Sequence, residues 1–175
     1  MRVIAGTLSG RNFASPHTHR THPMSDKVRG ALFNTLGDLG GLSALDAYAG
    51  SGACSIEAVS RGAAQVLAID IDPEAIKTIA ENVRALGLGE QITVRRANIS
   101  GWSRNNQARQ FDIVLADPPY DDVRPDVLGR LAAHVKPGGL LVLSWPGSEP
   151  VREFAGLEIA AHKLYGDAQL VFYRR

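Results

Sequence analysis

The sequence predicts an α/β fold: a doubly wound, mostly parallel sheet of about seven strands, with helices on both faces and an antiparallel hairpin at its C-terminal edge. Three observations predict it. From residue 43 onward, short apolar runs alternate with segments of helical period, as in parallel strands joined by crossover helices. The last two apolar runs are separated by a turn too short for such a crossover, so they pair antiparallel. The 175 residues, 45% of them hydrophobic, suffice for one packed core, since domains run at about 100–200 residues.

The elements follow in order. Residues 2–5 and 12–14 flank a Gly-rich turn and are expected to pair as a small hairpin. Residues 25–36 read as a helix with Val28, Leu32, Phe33 and Leu36 inward. Together these make a basic N-terminal extension, 1–36, on a core of 37–175 in one domain. Residues 43–48 (SALDAY) form the first core strand and 53–61 a helix. Residues 65–71 (QVLAIDI) form the second strand. The next helix, 73–86, carries the clearest signals: Asp72 can cap it, Pro73 takes its first position and Gly87 can close it. Its Ile76, Ile79, Val83 and Leu86 share one face. Residues 91–96 and 111–116 are the third and fourth strands. A helix holding Leu128, Leu131 and Val135 is expected to stop at Pro137-Gly138-Gly139, before the fifth strand at 140–145 (LLVLSW). Residues 157–164 and 169–173 form the terminal hairpin.

Composition narrows the function classes. The apolar fraction excludes a disordered chain, and the 18 Gly and 9 Pro are aperiodic, which excludes a collagen-like one. A single cysteine makes no internal disulfide and no cysteine-based zinc site, so a reducing compartment is expected. No apolar run approaches the roughly 20 residues that span a bilayer. A soluble, cytoplasmic, monomeric protein without membrane contact is the expectation. The formal net charge of +1 hides an asymmetry. Residues 1–36 carry Arg2, Arg11, Arg20, Lys27 and Arg29 against Asp26 alone, a net of +4, which leaves −3 on the rest. A basic arm on a mildly acidic body suits a polyanionic partner; a solvated tail without a partner has the same composition.

Two motifs point to a nucleoside ligand. Asp46-Ala47-Tyr48-Ala49-Gly50-Ser51-Gly52-Ala53 lies where the first core strand passes into a helix. Glycines there let the backbone turn and approach a ligand, and the helix start offers free N–H groups. Asp70 ends the second strand, 18 residues beyond Gly52, where an acid typically holds the hydroxyls of an adenosine ribose. A tight turn and a helix cap are the plainer reading. A nicotinamide dinucleotide is the rival ligand, although its third glycine position is here Ser55.

The third motif, Asp117-Pro118-Pro119-Tyr120, directly follows the fourth strand and so opens on the ligand side of the sheet. The prolines stiffen the loop and fix a carboxylate and a carbonyl as two acceptors aimed at one spot. An exocyclic amine of a nucleobase is a poor nucleophile, and two acceptors on its N–H bonds hold it in the geometry that attack requires. Tyr120 offers a face for a splayed-out base, worth about 1–3 kcal/mol.

With these motifs the chain resembles the class I S-adenosylmethionine-dependent methyltransferases with a Rossmann-like sheet, and specifically the ribosomal RNA small subunit methyltransferase D family. The resemblance runs through Arg2-Val3-Ile4-Ala5-Gly6, Gly10-Arg11, Asp26-Lys27-Val28-Arg29, Ala31-Leu32-Phe33-Asn34, Leu45-Asp46, Ala49-Gly50-Ser51-Gly52-Ala53, Glu57-Ala58, Ser60-Arg61-Gly62-Ala63 and Asp117-Pro118-Pro119-Tyr120, with Lys163 and Gly166 in the terminal hairpin. It implies methyl transfer from S-adenosyl-L-methionine to the exocyclic N2 of a guanine in 16S ribosomal RNA, free or in an assembling small subunit. It implies that Asp46, Ala49, Gly50, Ser51, Gly52 and Ala53 cradle the methionine part, with Asp70 and Ile71 at the ribose and Asn98 at the adenine amine. Asp117 lies between cofactor and target; with Pro118 it accepts from the target amine, while Tyr120 stacks on the base. Arg2, Arg11, Arg20, Lys27 and Arg29 would bind RNA. The chain departs from the family at His22-Pro23-Met24, usually Arg-Pro-Thr, and at Gly30, commonly an acid.

Other readings stay open at this point: adenine N6 or cytosine N4 in DNA, which the Asp-Pro-Pro-Tyr loop would serve equally; a protein glutamine; or a nucleotide-binding or NAD-dependent protein. Against DNA, 175 residues leave no separate target-recognition domain. No metal is expected. His17, His19 and His22 read as a solvated loop, Asp121 and Asp122 as loop acids, and Cys54 as a packing residue.

Overall fold

A computed structural model describes residues 1–16, 24–120 and 124–175. Its seven strands are β1 (Ser43–Asp46), β2 (Gln65–Asp70), β3 (Ile92–Arg96), β4 (Phe111–Ala116), β5 (Val135–Pro146), β6 (Glu158–Tyr165) and β7 (Ala168–Arg174). They lie in one sheet in the order β3-β2-β1-β4-β5-β7-β6. The strands β1 to β5 pair in parallel; β7 runs antiparallel to both β5 and β6. The two-residue link Gly166-Asp167, with Gly166 at φ 63°, closes the terminal hairpin as expected.

Alternation along the strands sorts the core into two layers. On one face Ala44, Val66, Ile113 and Phe172 pack under Leu32, Phe33, Ile56 and Ile79, from α1 (Asp26–Leu36), α2 (Ala53–Ser60) and α3 (Pro73–Leu86). On the other, Leu45, Leu67, Val114 and Leu141 pack against Ile99, Trp102, Leu128 and Leu131, from α4 (Ile99–Asn105) and α5 (Pro125–Ala132). The chain winds outward from β1 in both directions, so the crevice at the carboxyl ends of β1, β2 and β4 is the switch point where such sheets bind ligands. No helix among the described residues is long and apolar enough to cross a membrane.

Several elements differ from their sequence expectation. The Asp72 cap, Pro73 and Gly87 bound α3 as expected. The last core helix ends at Ala132, and Val135 already pairs with Phe111. Pro137-Gly138-Gly139 is therefore a bulge inside β5, where the register moves on to Ile113 opposite Leu140. Gly138 there donates its N–H to the carbonyl of Arg175, so these residues are tied to the chain end and terminate no helix. Helix α4 has no counterpart in the sequence reading. Its Ile-Ser-Gly-Trp-Ser-Arg-Asn run has weak helix propensity; the Asn98 side chain starts it by accepting from the N–H groups of Ser100 and Gly101.

The N-terminal segments join at one antiparallel bridge, Arg2 to Asn12, rather than as a full hairpin, and they are docked on α2 and α3. The Glu57 carboxylate of α2 accepts the N–H groups of Ile4 (2.8 Å) and Ala5 (3.1 Å). The Ser60 hydroxyl donates to the Ala5 carbonyl and accepts from Leu8 N–H. On α3, Asn82 exchanges two hydrogen bonds with the backbone of Ala14. Gly6, at φ 84°, passes so close that a Cβ there would sit 1.8 Å from the Ser60 carbonyl oxygen. Val3 and Phe13 complete the burial. The extension shares the core of the body.

Candidate active site

The carboxyl ends of β1, β2, β4 and β5 border a cavity of about 1490 Å³, larger than the roughly 300–1,000 Å³ typical of small-molecule sites. Its floor is the loop from β1 into α2. Gly50 and Gly52 adopt positive φ, 51° and 77°, and Gly52 packs so close to α3 that a Cβ would meet Ile79 at 3.1 Å. The N-cap, Gly52, has no side chain to cap α2, so amides at the very start of the helix are left for a ligand. Asp46, Ala49, Gly50, Ser51 and Ala53 line the floor, and Gly52 supports it from behind.

Asp70 closes one side. One carboxylate oxygen accepts from Gly50 N–H (2.7 Å) and the other from Asp72 N–H (2.9 Å), which locks the acid to the glycine loop. Beside it Ile71 is 59% exposed and forms part of the cavity wall, an apolar surface with no protein packed on it. Asn98 lines the same end, with its side-chain oxygen engaged in capping α4.

Asp46 is only 4% exposed and accepts a 2.6 Å hydrogen bond from Ser55. Burial pushes its carboxyl up to about 7, with repulsion from Asp117 and Asp70 adding to the rise and the Ser55 hydroxyl opposing it. Burial also raises Asp117, against a hydrogen bond from Ser144. Three carboxylates thus meet at adjacent strand ends, and a cationic ligand would relieve their repulsion. Cys54 lies within this field, and burial with Asp46 and Asp117 holds its thiol far up, in the neutral form. It packs against the core as expected.

Asp117, Pro118, Pro119 and Tyr120 line the opposite end. Tyr120 is 44% exposed and its hydroxyl lies 3.2 Å from Ser144 Oγ. Burial raises its pKa, and the charges of Asp117 and Asp167 add to this. The hairpin turn, residues 165–168, forms the wall beyond. The sequence reading missed Ser144 and Arg124, which also lines the cavity. The only linear signal for either was a polar residue at a strand end and a cation after the Asp-Pro-Pro-Tyr loop.

The basic residues separate. Lys27 and Met24 line the cavity. Arg2 and Arg11 are exposed on the docked N-terminal segment, away from the lining. Arg29 corrects the expectation that it binds RNA, because its side chain is fully buried. It donates to Asp26 (2.9 Å) and to the Arg2 carbonyl (2.7 Å), and lies 4.0 Å from Glu57. A guanidinium sealed among these partners holds the extension on the body. Arg20, His17, His19, His22, Pro23, Asp121 and Asp122 lie outside the described residues.

Comparison with known proteins agrees with this architecture. The family model described as Conserved hypothetical protein 95 matches residues 1–174. A Bacillus subtilis (strain 168) protein named "Putative rRNA methyltransferase YlbH" is 30% identical over 182 residues, covering 100% of this chain and 99% of that protein. The Escherichia coli (strain K12) ribosomal RNA small subunit methyltransferase D is 32% identical over 121 residues, 69% of this chain and 60% of that protein. Among solved structures, "Putative methyltransferase yhhF from Escherichia coli" superposes with a TM-score of 0.87 at 26% identity, covering 100% of this chain and 97% of that one. A glycine loop, a spaced acid and an Asp-Pro-Pro-Tyr loop on one cavity, within a family match spanning nearly every residue, place the chain in the Conserved hypothetical protein 95 family, the methyltransferase family of ribosomal RNA small subunit methyltransferase D.

Proposed function

We propose that the protein methylates the exocyclic N2 of a guanine in 16S ribosomal RNA, free or in an assembling small subunit, using S-adenosylmethionine. The observation that carries this is that the Asp-Pro-Pro-Tyr loop and the glycine loop line one cavity, with room for a cofactor and a base together. The residues present fit S-adenosylmethionine. Asp46, Asp70 and Asp117 suit its positive charge, the uncapped start of α2 suits its carboxylate, and exposed Ile71 suits the adenine face.

S-adenosylmethionine supplies an electrophilic methyl group, and its departure leaves a neutral thioether, so no strong base is needed before attack. The chain's own residues do the rest. The Asp117 carboxylate and the Pro118 carbonyl accept from the two N–H bonds of the target amine and hold its lone pair toward the methyl. Tyr120 supports the ring of the flipped base. A carboxyl raised by burial binds a proton readily, so Asp117 is suited to take the one the methylated amine sheds. Lys27 and Arg124, at the cavity, meet phosphates beside the target.

Tritiated methyl transfer to unmethylated rRNA, small-subunit particles and DNA, followed by mapping of the labelled base, tests the proposal. Label on a guanine N2 of 16S rRNA is expected; label on DNA alone, or on another atom, overturns it. Asp117→Ala is expected to lower turnover by about a thousandfold while cofactor affinity stays within a few-fold. Asp70→Ala is expected to weaken cofactor binding instead.

A further inference from the structure

The ends of β4 and β5 bring a third polar group into the target end of the cavity. Ala116 and Leu143 are partners in the parallel register, which sets the next residues, Asp117 and Ser144, side by side where the two strands end. Ser144 is 5% exposed and lines the cavity. Its hydroxyl lies 3.2 Å from the Tyr120 hydroxyl, and beside the Asp117 carboxyl it lowers that group's pKa against burial.

Building on the methyl-transfer reading above, we infer that Ser144 is a positioning residue that keeps Asp117 an acceptor for the target amine and ties the Tyr120 ring to it. The chemistry of a hydroxyl fixes the direction of the chain. Serine has one proton to give and two lone pairs to receive. An ionised carboxylate only accepts, so Ser144 donates to Asp117 and its lone pair receives the Tyr120 hydroxyl. A protonated Asp117 would present an O–H to an amine that is itself a donor, and the target would be refused. Burial favours that unwanted state; Ser144 opposes it.

The charges facing Asp117 come from every neighbouring strand end. Asp46 on β1 is coupled to it directly and Asp70 on β2 to Asp46, while Asp167 in the hairpin turn acts on Tyr120. The cations Lys27 and Arg124 line the same cavity, and burial is what raises Asp117. Against burial, the Ser144 hydroxyl is the group that lowers Asp117.

Ser144→Ala tests this. In the free protein, carbon NMR of labelled aspartate is expected to show Asp117 titrating about one pH unit higher than in the wild type. The acid limb of the transfer rate should move up by the same amount, with turnover at neutral pH down about tenfold and cofactor affinity within about twofold. Ser144→Thr, which keeps the hydroxyl, should restore the wild-type limb. Tyr120→Phe, which removes the other bond, should leave the limb in place. An unmoved Asp117 titration in Ser144→Ala, or a limb that moves equally in Tyr120→Phe, overturns the inference. The titration needs no substrate, so it stands apart from failure of the rRNA assay, which would overturn the function instead.

Discussion

Helix α2 meets two buried carboxylates and treats them oppositely. Glu57, on the helix itself, is 1% exposed and is surrounded by donors: the amides of Ile4 and Ala5, the Arg61 guanidinium at 2.9 Å and that of Arg29 at 4.0 Å. Asp46, at the end of β1 below the start of α2, is as deeply buried, yet it has the hydroxyl and backbone N–H of Ser55 for donors, no cation beside them, and two acids for neighbours. Buried charge is tolerated when it is matched by charge and hydrogen bonds. Glu57 satisfies that condition within the fold and serves as a structural clamp. Asp46 does not, and burial beside two acids raises its carboxyl to about 7 instead. The difference separates a carboxylate whose charge is matched within the fold from one whose charge is not, which is why the second suits the cationic cofactor proposed above.

The largest expected effect breaks the clamp. Glu57→Ala leaves the N–H groups of Ile4 and Ala5 and the Arg61 guanidinium without their acceptor and removes the acid beside buried Arg29. Removing one partner of a buried pair costs about 3–5 kcal/mol. Urea denaturation is expected to show a loss of that size, with the N-terminal segment released first and detected by proteolysis within residues 1–16. A loss under about 1 kcal/mol would mean that Val3, Phe13 and the Ser60 and Asn82 bonds hold the extension without Glu57.

A smaller effect of opposite sign is expected at Asp46. Its folded pKa, about 7, lies above its ordinary value, so the folded state binds the proton more tightly than the unfolded chain. This group therefore weakens the fold progressively as pH rises from about 4 to 7, and most fully above that. Asp46→Asn keeps an acceptor for Ser55 and removes the charge. The ligand-free variant should be more stable than wild type at pH 8 by at most about 4 kcal/mol, the rise of about three pKa units at about 1.4 kcal/mol each, and no more stable near pH 4. The same variant should bind S-adenosylmethionine more weakly. A stability difference independent of pH would contradict the origin assigned to it.

How much of this was visible in the chain differs between the two ends. The strand–helix rhythm, the caps of α3 and the three cavity motifs are local patterns, and each places its residues at a strand end whatever the rest of the chain does. The backbone N–H partners of Glu57 are 52 and 53 residues away, and Ser144 meets Tyr120 only through the register of β4 with β5. No local spacing encodes such contacts. Pro137-Gly138-Gly139 misled because the same residues end helices and build bulges. Arg29 misled because a charge count treats every cation as solvated, whereas Asp26 one turn earlier and the Arg2 carbonyl draw this one inside.

That last distinction yields the smallest and most discriminating effect. If cavity-lining cations contact RNA phosphates, Lys27→Ala and Arg124→Ala should each weaken rRNA binding a few-fold. Each should also flatten the dependence of log affinity on log salt by about 0.7–0.9, the release of one phosphate's counterions. Arg29→Met removes the same formal charge from the same helix as Lys27. Its guanidinium never reaches solvent, so the salt slope should stay at the wild-type value while the unfolding midpoint falls. Binding titrations over a range of salt, paired with thermal unfolding, separate the two. Equal slopes for Lys27→Ala and wild type would move the phosphate contacts away from the cavity rim, to the exposed Arg2 and Arg11. A slope lowered by Arg29→Met would mean that the extension lifts from α2 when RNA binds, turning the clamp at Glu57 into part of recognition.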